Sequence, residues 1–178
     1  MSNIIKIKEL NKRGFLREGA VVTLGGFEGK PIEWVVFEVG GDSCTLFSLK
    51  ELCQMAYHKK RKEITWEDCT LRKWLNGKFF KKAITAEEKA GILLAKVSGN
   101  GVHSANNLPE TSDFVFLLNT AEAERLTTDF LKTGNWWWLR NRGSLSSSPF
   151  LCVPPRRGVF SRVRCGQRQQ RGASGFKT

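Results

Sequence analysis

Three short runs of β-branched and aromatic residues come early in the chain: Val21-Val22-Thr23-Leu24, Ile32 to Val39 (IEWVVFEV) and Cys44 to Leu49 (CTLFSL). Gly25-Gly26 and Gly40-Gly41-Asp42 fall between them, and such punctuation predicts hairpins. In the middle run Ile32, Trp34, Val36 and Glu38 share one face, while Val35, Phe37 and Val39 share the other. A strand apolar on both faces belongs inside a sheet. The period then lengthens. Thr65 before Trp66-Glu67-Asp68 predicts an N-cap with acids in the first turn, and Leu71, Trp74 and Leu75 recur at helical spacing. Thr85 with Glu88 three residues later predicts a capping box opening a helix over Ala86 to Leu94. A polar loop over Gly99 to Pro109, a buried strand over Asp113 to Leu118 (DFVFLL), a short helix over Thr120 to Leu126 and a strand over Trp136 to Arg140 follow. In that last strand Trp136 and Trp138 share one face and Trp137 takes the other. The expected core includes Trp34, Trp66, Leu71, Trp74, Phe116 and Leu117.

Composition fits one globular domain: 178 residues, 40% hydrophobic, with six Trp and twelve Phe. No apolar run approaches the roughly 20 residues that cross a bilayer. Met1 to Leu10 alternates Ile with Lys and Glu and lacks the apolar centre of a signal peptide, so a cytoplasmic location and no membrane partner are expected. Five cysteines (Cys44, Cys53, Cys69, Cys152 and Cys165) show no C-x-x-C and no His at ligand spacing, so they read as reduced, small apolar residues.

No cofactor, structural metal or catalytic group is expected. His58 and His103 stand far apart in polar stretches, no Ser or Cys adjoins a plausible base, and no Gly-rich loop leads to a phosphate-binding Lys. Were calcium to bind, oxygen ligands such as Asn106, Asn107 and Asp113 would hold it.

Charge divides the chain. Residues 139–178 contain eight Arg and Lys177 but no Asp or Glu, which leaves only +3 of the net +12 for everything before them. From Asn141 onward neither a period of 2 nor one of 3.6 lasts, and the composition alone is that of a disordered basic tail. Three segments result: a polar lead-in over 1–18, a domain over 19–143 and a basic tail over 144–178.

The order PIEWVVFEV, TWEDCTLRKWLNGKFF, AEEKAGIL, TSDFVFLL with EAE, then WWWLR resembles a family of uncharacterised bacterial and phage domains. Its pattern includes T-W-x-x-S-x-L-R-x-W-L-N, W-W-L-R-S-P-G and a closing G-V-R-P-A-L. Trp66, Leu71, Arg72, Trp74, Leu75, Asn76 and Trp137 to Arg140 fall on that pattern in order. Cys69 stands where the family usually has Ser, and Asn141-Arg142-Gly143 replaces S-P-G.

The resemblance implies an α+β, C-type-lectin-like fold, related to formylglycine-generating-enzyme-like domains and to variable proteins of diversity-generating retroelements. Such a fold has a twisted, mostly antiparallel sheet with two main helices. It also implies a non-catalytic domain that recognises a protein or glycan, of the kind carried by phage or mobile elements. An oxidase of related fold would need a reactive Cys pair, and none is evident. The ligand surface would lie downstream of the W-W-L-R strand, and the residues assigned to it are Trp136, Arg140, Arg142, Leu145, Ser147, Phe150, Arg156, Phe160 and Arg162. The alternative is nucleic-acid binding through the Arg-rich tail, because phosphate contacts from Arg give salt-dependent affinity.

The closing motif is absent, and the codons suggest why. Arg171 to Lys177, written CGN GGN GCN TCN GGN TTY AAR and read one base later, permit Gly, Val, Arg, Pro, Ala and Leu in that order. Two readings stand. Either the frame slips after about Arg140, so that the tail is out-of-frame text with nonspecific affinity for polyanions, or the C-terminus is genuinely variable.

Overall fold

The computed structural model describes residues 16–60, 62, 64–98, 109–126, 137–145 and 148–153, with backbone alone for 142–145 and 148–153. Strands β1 (Val21–Phe27), β2 (Lys30–Gly40) and β3 (Ser43–Ser48) form an antiparallel sheet in the order β1-β2-β3. β2 is central, as its two apolar faces require, and Ile32, Val35 and Val36 are buried on it. Gly41-Asp42 makes the second hairpin turn as expected. The first turn falls at Glu28-Gly29 instead, and Gly25-Gly26 lies within β1, where the register shifts between Thr23 and Gly26. Gly25 has φ +69°, and a Cβ there would sit 2.4 Å from the Ala83 carbonyl oxygen. The glycine pair therefore serves a bulge pressed against a helix, a use that resembles turn punctuation in sequence.

The helical region starts a turn later than Thr65 predicts. Residues 66–68 form a turn, and α1 (Thr70–Trp74) begins after Cys69, whose Sγ accepts from the Arg72 amide at 3.3 Å. A wide π-helical turn (Leu75–Phe79) leads into α2 (Phe80–Ala83). The buried residues Leu71, Leu75, Phe79 and Ala83 recur four apart along this stretch. α3 (Ala86–Lys89) opens on the expected Thr85–Glu88 capping box but lasts one turn rather than reaching Leu94. α4 (Thr120–Glu124) opens on a second box, Asn119 with Glu122. One interrupted helical run and two single turns thus replace the two main helices expected.

β4 (Ala95–Ser98) pairs antiparallel with β5 (Glu110–Asp113), and β6 (Trp137–Leu145) with β7 (Ser148–Val153). The fold is α+β with antiparallel ladders, in three separate sheets among the described residues. The expected strand over 113–118 ends where it was to begin, because Asn76 takes over its backbone. Asn76 Oδ1 accepts from the amides of Phe114 (2.7 Å) and Val115 (3.1 Å), and its Nδ2 donates to the Val115 carbonyl (2.9 Å). A single side chain satisfies polar groups that a neighbouring strand would otherwise pair.

Two apolar clusters result. The larger joins Ile32, Tyr57, Trp66, Leu71, Leu75, Phe79, Phe80 and Ile84. The smaller joins Leu118, Ala123, Leu126 and Leu139. Trp138 packs against the first and Trp137 against the second, so the two rings take opposite sides of β6. Trp66 and Leu71 are buried as expected. Trp34, Trp74, Phe116 and Leu117 are only half-buried, at the margins of the cores.

Candidate functional site

The charged and amide residues of the sequence motifs turn inward. Asp113 is wholly buried, and its carboxylate accepts from Trp66 Nε1 (2.9 Å), Thr111 Oγ1 (2.6 Å) and Arg72 Nε (2.7 Å). Arg72 also donates to the Glu67 carbonyl. The spacing Trp66, Arg72, Asn76 is therefore a clamp: Trp66 and Arg72 hold the end of β5, and Asn76 holds the residues after it. Such a carboxylate is satisfied and closed to water, so Asp113 is withdrawn from the oxygen donors a calcium ion would use. Asn106 and Asn107 lie outside the described residues.

Cys69 is enclosed by the same motif. Burial pushes its thiol up, while hydrogen bonds from Arg72 and Tyr57 pull it down; the balance is upward, and the sulfur is a neutral cap. Burial likewise pushes the Tyr57 hydroxyl up. His58 accepts from the Thr70 amide through Nδ1 at 3.3 Å, at the start of α1. His103 lies outside the described residues.

The second anchor is Arg140 on β6, only 3% exposed. Its guanidinium grips Glu122 in a bidentate pair at 2.5 and 2.6 Å, donates to the carbonyls of Leu117 (2.6 Å) and Ser98 (2.7 Å), and lies over the Phe116 ring. Its own amide donates to the Leu118 carbonyl. Next to it, buried Asn141 accepts the Thr120 amide. Arg140 thus ties β4, the segment before α4 and α4 itself to β6. An Arg with its guanidinium so engaged positions the surrounding walls more than it reaches for a ligand.

Those walls enclose a cleft of about 200 Å³ between β2, β3, β4 and β6. Phe37, Glu38, Thr45, Lys96, Phe116 and Glu122 line it around Arg140. Arg125 stands over the Phe37 ring and approaches Glu38 at 3.5 Å. Apart from Arg140, sequence reasoning missed this lining. The Asn119-x-x-Glu122 box was available as a signal for α4, but nothing local links Glu122 to an Arg eighteen residues on.

Of the residues assigned to the ligand surface, the structure gives a side chain only to Arg140. Arg142, Leu145 and Phe150 lie on the β6–β7 hairpin, with Arg142 opposite Phe150 and Leu145 opposite Ser148. Trp136, Ser147, Arg156, Phe160 and Arg162 lie outside the described residues, as does 154–178 of the basic tail. Among the described residues no three His, Cys, Asp or Glu side chains gather as a metal site, and no helix is long and apolar enough to cross a membrane.

Fold and site together define a small α+β domain of antiparallel ladders, clamped by two arginine–carboxylate pairs, each with one buried member. The chain belongs to the family "Domain of unknown function (DUF6273)", which matches residues 42–169. That match takes in both anchors and runs past Arg140 through β6 and β7 into the tail segment. No curated protein and no solved structure is significantly similar to the chain.

Proposed function

We propose that this domain is a non-catalytic recognition scaffold of C-type-lectin-like type that displays its ligand surface, for a protein or glycan, on the segment following Arg140. The observation that supports it most is the position of Arg140. β6 is locked at Leu139, Arg140 and Asn141, all buried, the first by apolar packing and the other two by hydrogen bonds, and then continues directly into the β6–β7 hairpin. A segment that leaves a fixed base can vary in sequence without disturbing the core, which is the division of labour that recognition loops use. Arg72, Asp113, Asn76 and Glu88 support the same reading, because each holds the fold together rather than facing a substrate.

The test is a binding profile of the full chain on an immobilised panel of defined glycans and cell-surface proteins. It is repeated with Arg142→Ala, Leu145→Ala and Phe150→Ala combined. The reading expects saturable binding to at least one panel member that the triple variant loses while melting unchanged. Binding retained by the triple variant, or lost steeply with salt alone in the manner of phosphate-backbone contacts, would favour another surface or the nucleic-acid alternative.

A further inference from the structure

A different surface carries a separate inference. The β4–β5 ladder has an inner and an outer face. Val97, Thr111 and Asp113 are buried, while Leu94, Lys96, Ser112 and Phe114 alternate with them on the exposed side. The last ladder pair is Ala95 with Asp113, so Leu94 and Phe114 follow at its open end, one on each chain segment. Leu93 is 67% exposed, Leu94 55% and Phe114 38%, three of the few large apolar side chains the described residues leave to water. Phe114 is held rather than loose: its ring stacks on Phe80 at 4.6 Å, nearly parallel, and its amide bonds Asn76.

Lysines lie near this patch. Lys89 places its Nζ over Phe80, the ring that carries Phe114, and bonds the Lys81 carbonyl at 3.1 Å. Lys81 lies on the exposed side of α2. Lys96 shares the outer face of the ladder, with only a long 3.8 Å approach to Glu110. Neither Lys81 nor Lys89 has an ion-pair partner among the described residues. The nearby acids do not neutralise them all: Glu88 is buried and bonded inward, leaving Glu87 as the exposed carboxylate of α3.

We infer that the open end of the β4–β5 ladder, where Leu93, Leu94 and Phe114 are exposed with Lys81, Lys89 and Lys96 near them, is a docking surface for an anionic lipid membrane. The apolar tips enter the boundary between headgroups and acyl chains while the ammonium groups meet lipid phosphates. Interfacial attachment combines these two terms, buried apolar area and attraction to anionic lipid. Lysine stems are suited to the arrangement, since they lie along apolar surface and hold their charge at the headgroup level. A protein partner fits less well. Leu93 and Leu94, both more than half exposed, stand proud instead of lining a groove, and the cleft around Arg140 shares only Lys96 with this face, so a soft surface accommodates them better than a shaped one. The sequence expectation of no membrane partner rested on the lack of a spanning run, which has no bearing on surface attachment.

The experiment is co-sedimentation of the full chain with phosphatidylcholine vesicles, with and without phosphatidylglycerol, at physiological salt. Leu93→Asn/Leu94→Asn is compared with wild type. Both carry the Arg-rich tail, so its attraction to anionic lipid is common to the two. The expected result is binding to the phosphatidylglycerol vesicles only, weakened about tenfold or more in the double variant, with an unchanged melting temperature. Lys81→Gln, at an exposed position of α2, lowers binding further with the melting temperature unchanged. Equal binding by wild type and the Leu93→Asn/Leu94→Asn variant overturns the inference and assigns the attraction to the tail. No binding to anionic vesicles, or equal binding to neutral ones, overturns it as well. So does a loss confined to capture of a poly-glutamate peptide, which would mark an acidic protein as the partner.

Discussion

A carboxylate at the end of a four-residue strand decides how the sequence motif works. Asp113 receives donors from three directions, and Arg72 is one of them. Asp113→Asn keeps the size but turns an amide donor toward Trp66, Thr111 or Arg72, and takes the counter-charge from a partly buried cation. A fully buried pair broken in this way costs about 3–5 kcal/mol, and with Arg72 partly solvated, urea unfolding of the variant should show a loss at or below the lower end of that range. Glu88 is one residue through which acid should weaken the fold. Burial works to raise its carboxyl, but the amides of Thr85 and Gly25, with the Thr85 hydroxyl, outweigh it and hold the group below its ordinary 4.5. A depressed carboxyl stabilises the fold fully above the unfolded value, and that contribution is lost as pH falls through the folded one. Melting temperatures measured from pH 6 down to about pH 3 should therefore fall less steeply for Glu88→Gln than for wild type. Parallel curves would remove Glu88 from the acid response. Cys69 adds a compositional point at the same scale. It occupies an N-cap, where Ser is among the favoured residues, so the Ser usual at this position in the resembling family has a direct physical reason.

At the scale of elements, the sequence displayed what depends on neighbours along the chain and concealed what depends on distant ones. The central strand β2, the Gly41-Asp42 turn and the Thr85–Glu88 box were legible because each is a local pattern. The run DFVFLL was not. Its apolar content reads as a strand, yet Asn76, 37 residues before its Asp113, supplies the hydrogen bonds a partner strand would have given. Gly25-Gly26 was misread for a related reason, since a bulge against Ala83 and a hairpin turn call for the same residue. The two uses separate experimentally. Gly25→Ala combines a positive φ with a Cβ 2.4 Å from a carbonyl oxygen, whereas Gly29, at φ +76°, has open space around it. Gly29→Ala should cost about 1 kcal/mol from the backbone alone, and Gly25→Ala about 2–4 kcal/mol because a close contact is added. Chemical denaturation of the two variants decides it, and equal losses would mean that α2 moves aside freely.

For the whole molecule, the candidate site was legible as a location and not as chemistry. The W-W-W-L-R run marked where the domain hands over to the downstream segment, and β6 begins there. That Arg140 serves as an anchor could not be read locally, because its partners, Ser98, Leu117 and Glu122, come from two other parts of the chain. The central claim is that Arg140 belongs to the scaffold while the residues after it belong to the recognition surface. Thermal melting, recorded side by side on the full chain, Arg140→Met and the Arg142→Ala/Leu145→Ala/Phe150→Ala variant, tests this most directly. Arg140→Met leaves two carbonyls and Glu122 without their donor, and should lower stability by about 3–5 kcal/mol, a fall of roughly 6–15 °C at this chain length. If those three residues serve recognition and not the scaffold, the triple variant should melt within about 2 °C of the full chain. The reverse order, with Arg140→Met melting like wild type and the hairpin variant collapsing, would contradict the account.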